Sequence, residues 1–222
     1  MKIRAVIYDL DGTLLNSGKR GFDRLGMLAR QNNIDFSQSV QKCLKEFWGL
    51  PPTELISTGL GVTKEIAEKI HKQWIEWDKK DPIPLVGGVV EMLEKNIQKG
   101  IFNFVFTSRH TESALDILKR YNIISFFEDA IGIEGGAFVP MSEFRKPNPH
   151  SLDNLLQFIN ENYGISRNGI AYVGDEIFDI QCGMGAKLET YGVLSGLKTK
   201  EELIAVGACA GNIFLTVAHI AF

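Results

Sequence analysis

A short apolar run, Ile3 to Tyr8, leads directly into Asp9-Leu10-Asp11-Gly12-Thr13-Leu14. Side chains alternate along a strand, so two carboxylates two residues apart can face one site. Buried carboxylates at a strand end are costly unless they bind a cation or do chemistry. The pair therefore points to a metal site or to reacting groups. Gly12 permits positive φ and close backbone approach. The competing reading is an Asx-type turn after an edge strand, for which Asp-Gly is a common pair.

Two further apolar runs share this pattern. Ile101–Phe106 ends in Thr107, and Ile170–Val173 ends in Gly174-Asp175. Each is short and Ile/Val/Phe-rich, as a buried strand should be. Helical spacing follows or separates them. Val86, Val90, Leu93 and Ile97 precede a stop at Gly100, and Ala114, Leu118 and Tyr121 mark a second helix. Leu152, Leu155, Leu156 and Ile159 mark a third, opened by Asn148-Pro149. Strands alternating with helices imply parallel βαβ units. Residues 16–85 break the alternation. Helical pieces are expected at 20–31, 38–47 and 53–57, with an Ile66/Ile70/Trp74/Trp77 stripe read as the core of this insertion.

The chain has 222 residues, 45% hydrophobic and 23% charged, with a net charge of −3. That length is awkward for one domain or two. An insertion of about 70 residues in a core of about 150 accounts for it. The expected division is a core of residues 1–15 and 86–222 and a helical domain of 16–85. The near-neutral charge gives no electrostatic footprint for nucleic acid. Cys43, Cys182 and Cys209 form no metal spacing and are expected to be buried thiols in a reducing compartment. No apolar run approaches a membrane span, and Asp9 and Asp11 interrupt the first strand too early for a signal peptide, so a cytoplasmic protein is expected. His71, His110, His150 and His219 are read as surface or partly buried histidines, with no spacing for a metal site or a nucleophile elbow.

The Asp9–Thr13 segment resembles the first motif, DxDGT, of the haloacid dehalogenase superfamily of phosphohydrolases. The other motifs of that family stand in order along the chain. Thr107-Ser108 matches the second, a Thr or Ser at a strand end. Lys146 in Lys146-Pro147-Asn148-Pro149 matches the third. Gly174-Asp175-Glu176-Ile177-Phe178-Asp179 matches the fourth, GDxxxD. Four short motifs in the right order and at the expected strand ends make coincidence remote. The resemblance spans nearly the whole chain and implies a Rossmann-like parallel sheet with helices on both faces. It also implies a small all-helical cap inserted after the first strand.

The resemblance implies Asp9 as nucleophile and Asp11 as general acid/base. The second Asp, absent from true dehalogenases, argues for phosphoryl transfer. Thr107 and Lys146 would act with them, Thr107 on a phosphoryl oxygen and Lys146 on the charge of nucleophile and phosphate. Gly12, Ser108 and Arg109 are expected substrate contacts, although Arg109 could equally cap the next helix. So many carboxylates in one crevice cannot all stay ionised without a cation. Oxygen ligands suit Mg²⁺. Asp9, Asp11 (through its backbone carbonyl), Asp175 and Asp179 are the expected ligand set.

The expected activity is a Mg²⁺-dependent phosphatase acting on a small phosphorylated metabolite through an aspartyl-phosphate, as a monomer or homodimer without nucleic acid or membrane. Resemblance to the phosphoglycolate phosphatase group makes phosphoglycolate the lead substrate. Sugar phosphates, nucleotides and pyrophosphate remain alternatives, as does a non-catalytic phospho-ligand binder. In the family a cap that closes excludes water, and Trp48-Gly49-Leu50-Pro51-Pro52 is expected either to belong to its specificity loop or to be a rigid helix–helix turn. Gly21 and Pro52 stand where beta-phosphoglucomutase carries His and Arg, which disfavours a mutase.

Overall fold

A computed structural model describes residues 2–109, 111–127 and 144–222. The first strand, β1 (Ala5–Tyr8), is buried throughout. Its apolar run satisfies both faces of a sheet at once, which only a central strand requires. β1 pairs in parallel with β2 (Phe102–Val105) on one side and β3 (Ile170–Gly174) on the other, with Ile7 beside both Phe104 and Tyr172. β4 (Glu189–Val193) and β5 (Ile213–Phe214) complete a five-stranded parallel sheet of order β2-β1-β3-β4-β5.

Alternation then distributes the side chains between two layers. Ala5, Ile7, Phe104 and Tyr172 join Leu152, Leu155, Leu156 and Ile159 in one apolar cluster. These leucines come from a 3₁₀ turn, Pro149–Leu152, and from the helix that continues it, Asp153–Tyr163. Asn148 caps the turn by accepting from the His150 N–H at 2.9 Å. On the opposite side Tyr8 donates to Met92 Sδ and accepts from Asn96, which also donates to Asn103 Oδ1. Met92 and Asn96 lie on the helix Val89–Gln98. The buried face of that helix is Val89, Met92, Leu93 and Asn96, whereas Ile97 is 41% exposed. The Val86/Val90/Leu93/Ile97 stripe is thus displaced by about one position, because a buried asparagine takes a place that an apolar count passes over.

Residues up to Leu15 and from Leu85 onward form one compact unit, and Asn16–Pro84 form a second. The second is all-helical: α1 (Gly18–Gln31), α2 (Gln38–Glu46), α3 (Pro52–Leu60) and α4 (Lys64–Lys80). Pro52 opens α3 and Gly61, at φ 64°, closes it. Phe36, Phe22, Trp48 and Trp74 stack in sequence through its centre, with ring centroids 5.6–6.2 Å apart. Trp48, in the turn between α2 and α3, is 8% exposed within this core. Of the Ile66/Ile70/Trp74/Trp77 stripe, Ile70 is fully buried, the tryptophans are half-buried and Ile66 is exposed. The cysteines are unpaired, but only Cys182 is buried; Cys43 is half-buried and Cys209 exposed. Among the described residues no helix is long and apolar enough to cross a membrane.

Candidate active site

The strand order turns back on either side of β1, so the crevice beyond the carboxyl ends of β1, β2 and β3 is a topological switch point where open α/β sheets bind ligands. Asp9 follows Tyr8, Thr107 lies two residues beyond the end of β2, and Asp175 follows Gly174. The ladder runs slightly past the strands: the Asp9 N–H donates to Val173 O and the Phe106 N–H to Tyr8 O. These bonds fix the backbone from which the carboxylates project.

Asp9, Asp175 and Asp179 are buried, each with a carboxylate oxygen within 4.8 Å of the others'. Lys146 lies between two of them. Its Nζ donates at 2.7 Å to Asp9 Oδ1 and at 2.7 Å to Asp179 Oδ1. Its side chain is 5% exposed, over the rings of Phe106 and Tyr172. Asp179 is held by more than the lysine. Tyr172 Oη donates to its Oδ1 at 2.9 Å, and the Glu176 N–H donates to its Oδ2. That second bond belongs to a capping box at the start of the helix Ile177–Gly185. Asp175 Oδ1 accepts from Thr13 Oγ1 at 2.9 Å.

Glycine is required here. Gly12 sits at φ 76°, and a Cβ there would lie 2.2 Å from Asp175 Oδ2. A Cβ on Gly196 would come within 1.8 Å of the same atom. Ser195 Oγ donates to Gly12 O at 2.6 Å and ties the two walls together.

The electrostatics follow from burial. Burial drives the Asp9 carboxyl up to about 7; Lys146 pulls against this, while Asp179 and Asp11 add to it. Burial also holds Asp175 well above the carboxylate range, with Glu176, Asp9 and Asp179 pushing the same way. Glu176 is raised by burial despite Lys198, whose Nζ is 3.5 Å from Oε2, and its buried Oε1 has no hydrogen-bond partner among the described residues. Burial opposes the Lys146 ammonium, but Asp179 and Asp9 together outweigh it and hold the group charged. The protein thus packs more carboxylates than cations into a dry pocket, an arrangement that a hard divalent cation would relieve. The donor set fits such an ion. Asp9 and Asp175 each keep one carboxylate oxygen outside the hydrogen bonds described, whereas both oxygens of Asp179 are engaged by protein donors.

Asp11 takes a different place. Its carboxylate is outside the three-carboxylate cluster and pairs with Arg109, Nε to Oδ2 at 2.8 Å and Nη2 to Oδ1 at 2.6 Å. The Arg109 N–H in turn donates to Thr107 Oγ1 at 3.2 Å. Ser108 is partly exposed in the same turn. Thr13, Tyr172, Ser195 and the Glu176–Lys198 pair are the site residues that motif reading passed over. Thr13 was legible inside DxDGT. Tyr172 was hidden as an ordinary strand aromatic. His110 and the residues between Phe127 and Phe144 lie outside the described residues; His71 is half-buried, and His150 and His219 pair locally with Asp153 and Thr216.

Three comparisons bear on this geometry. The family model described as haloacid dehalogenase-like hydrolase matches residues 6–193. A phosphoglycolate phosphatase of Vibrio vulnificus is 24% identical over 217 residues, covering 92% of this chain and 89% of its own length. A pyrophosphatase PpaX of Listeria monocytogenes is 21% identical over 208 residues, covering 91% and 88%. In fold, a haloacid dehalogenase-like family hydrolase of Streptococcus pneumoniae superposes with a TM-score of 0.67 at 17% identity, over 97% of this chain and 95% of the other.

Proposed function

The chain belongs to the haloacid dehalogenase-like hydrolase family, and from that premise we propose that it is a Mg²⁺-dependent phosphatase working through an aspartyl-phosphate on Asp9. The observation that carries the reading is the Lys146 ammonium, 2.7 Å from Asp9 Oδ1, in a pocket whose carboxylates outnumber its cations. Asp9 is fixed at a strand end with one oxygen held by the lysine, which orients the carboxylate as a whole toward an incoming phosphorus. Its carboxylate attacks the phosphorus as the bond to the leaving oxygen breaks, and Asp11 gives that oxygen a proton. Water then attacks the phosphorus and gives a proton to Asp11, and the bond to Asp9 breaks to release phosphate.

Thr107, at the end of β2, offers a hydroxyl to a phosphoryl oxygen. Lys146 supplies fixed positive charge beside the nucleophile. Asp9, Asp175 and the Asp11 backbone carbonyl would hold Mg²⁺. A bound Mg²⁺ would offset the charge of the phosphoryl oxygens against Asp9. Asp179, with both oxygens engaged, serves to position Lys146. The helices of Asn16–Pro84 are assigned as the family's cap.

The two relatives support a substrate in which the phosphoryl group carries a second anion, the carboxylate of phosphoglycolate or the second phosphate of pyrophosphate. Phosphoglycolate is the leading choice. A panel of phosphorylated metabolites and pyrophosphate, ranked by kcat/KM with Mg²⁺, tests the reading. Turnover of at least one, silenced by EDTA and restored by Mg²⁺, is expected. No turnover of any would overturn it.

A further inference from the structure

Glu176 is a buried carboxylate to which the phosphatase reading gives no work. It stands between Asp175 and the helix Ile177–Gly185 and is 5% exposed. Its Oε2 faces Lys198 Nζ at 3.5 Å, an ion pair too long for a strong hydrogen bond. Its Oε1 is buried and has no hydrogen-bond partner among the described residues. Leaving a buried carboxylate oxygen unsatisfied is costly. A pair that served only to tie two segments together would be better built with both oxygens engaged.

The pair is held from both sides. The Glu176 N–H donates to Asp179 Oδ2, which fixes the backbone from which the carboxylate projects. Lys198 lies in the loop after β4, and its neighbours set the course of that loop. Ser195 Oγ donates to Gly12 O at 2.6 Å, and Gly196 lies so close to Asp175 that a Cβ would be 1.8 Å from Oδ2. Thr199 caps the helix Lys200–Ala205 by accepting from the Glu202 N–H at 3.2 Å. One loop thus lies against Asp175 and sets Lys198 against Glu176. Glu176 is near Asp175 in effect as well: after burial, no other charge does more to raise the Asp175 carboxyl. Yet Glu176 is outside the cluster of Asp9, Asp175 and Asp179, whose oxygens lie within 4.8 Å of one another. It stands one layer behind the ligands.

What Oε1 lacks is a donor, and ionised carboxylates only accept. A donor has to arrive with what the site binds. Mg²⁺ keeps several of its waters when a few carboxylates hold it, and such waters donate to acceptors just beyond the ligands. We propose that Glu176 is a positioning residue of the metal centre: its Oε1 accepts from a water carried by the cation at Asp9 and Asp175, and Lys198, facing Oε2, holds the carboxylate in place for it. This rests on the Mg²⁺ site of the phosphatase reading.

Mg²⁺ binding to the full-length protein, titrated calorimetrically without substrate, tests the assignment apart from turnover. Replacing Glu176→Met and Lys198→Met together removes both charges of the pair, so the net charge around the cation is unchanged and an apolar pair fills the space. This variant is expected to bind Mg²⁺ at least about tenfold more weakly, the scale of a lost outer partner. A second variant, Glu176→Gln, keeps Lys198 and the shape of the side chain. It should weaken Mg²⁺ by about threefold or more, because a neutral acceptor makes a weaker bond than a charged one. Urea unfolding without metal checks that each variant is folded. A pair that only ties the loop to the helix would move that unfolding and leave Mg²⁺ affinity alone. Affinity within about twofold of wild type in either folded variant overturns the proposal, as does a wild-type protein that binds no Mg²⁺. The phosphatase reading fails differently, as a wild-type protein that binds Mg²⁺ yet turns over no phosphate compound.

Discussion

Two buried cations in this protein are each held by two carboxylates, and they do opposite things. In the sheet unit Lys146 lies between Asp9 and Asp179, whose side chains are 10% and 2% exposed. In the helical unit Arg24 lies between Asp78 and Asp81, whose side chains are 20% and 65% exposed. Arg24 also bonds the Asp81 backbone carbonyl and stacks on Trp77. Its cluster is open to solvent at Asp81, which caps the end of α4. The Lys146 cluster has no such outlet. Asp175 and Glu176 add further buried acid, and burial lifts the Asp9 carboxyl to about 7, with Asp179 adding to the rise. The same count of charges is structural where solvent reaches it and chemically poised where solvent is excluded.

Removing one carboxylate from each cluster separates the two roles most sharply. Asp9→Asn should lower kcat by at least about 10⁴-fold, as loss of a nucleophile does. Its thermal unfolding should be unchanged or slightly raised, because a buried negative charge is relieved. Near-normal turnover in a phosphatase assay would sink the nucleophile assignment.

Lys146→Met comes next. A loss of about 10²–10³-fold in kcat is expected, the scale of one preorganised electrostatic contact. Steady-state kinetics would contradict this if KM rose while kcat held.

The corresponding change in the helical unit acts on stability. Arg24→Ala removes the ion pair to the largely buried Asp78 and strips packing from Trp77. A cost of about 2–3 kcal/mol is expected, below the figure for a fully buried pair because Asp81 reaches water. Urea unfolding would refute it by showing less than about 1 kcal/mol.

The smallest effect is a pH dependence. Asp9 binds its proton more tightly in the folded chain, about 7, than at its ordinary 3.8. Unfolding therefore releases a proton between these values, and stability falls as pH rises from about 4 through 7. In EDTA the protein should be less stable at pH 8 than at pH 5, by on the order of 1–3 kcal/mol. Mg²⁺ should recover more at pH 8 than at pH 5, and Asp9→Asn should flatten the profile. Equal urea midpoints at both pH values without metal would contradict the burial argument.

The sheet was legible where strands are apolar on both faces. β1, β2 and β3 announce themselves for that reason. β4, Glu189-Thr190-Tyr191-Gly192-Val193, does not. Two of its three buried positions are a threonine and a glycine, and a Cβ on Gly192 would run into Leu203, with Ile213 and Ile180 close by. Complementarity of that kind is a property of three distant segments. The same applies to the half-exposed tryptophans of α4 and to Asn96, whose burial depends on Tyr8 and Asn103 being opposite.

For the site, local order in the chain was enough to single out Asp9, Asp11, Thr107, Lys146, Asp175 and Asp179. The need for a compensating cation followed from residue type alone, because clustered carboxylates repel in any dry pocket. Which carboxylate stands with which cation did not. Lys146 joins Asp9 and Asp179 across 137 and 33 residues, and Arg109 reaches Asp11 across 98. A motif records the order of groups along a strand end or loop. A pairing is decided by where the sheet places those ends side by side and by which charges the fold leaves with no water to turn to.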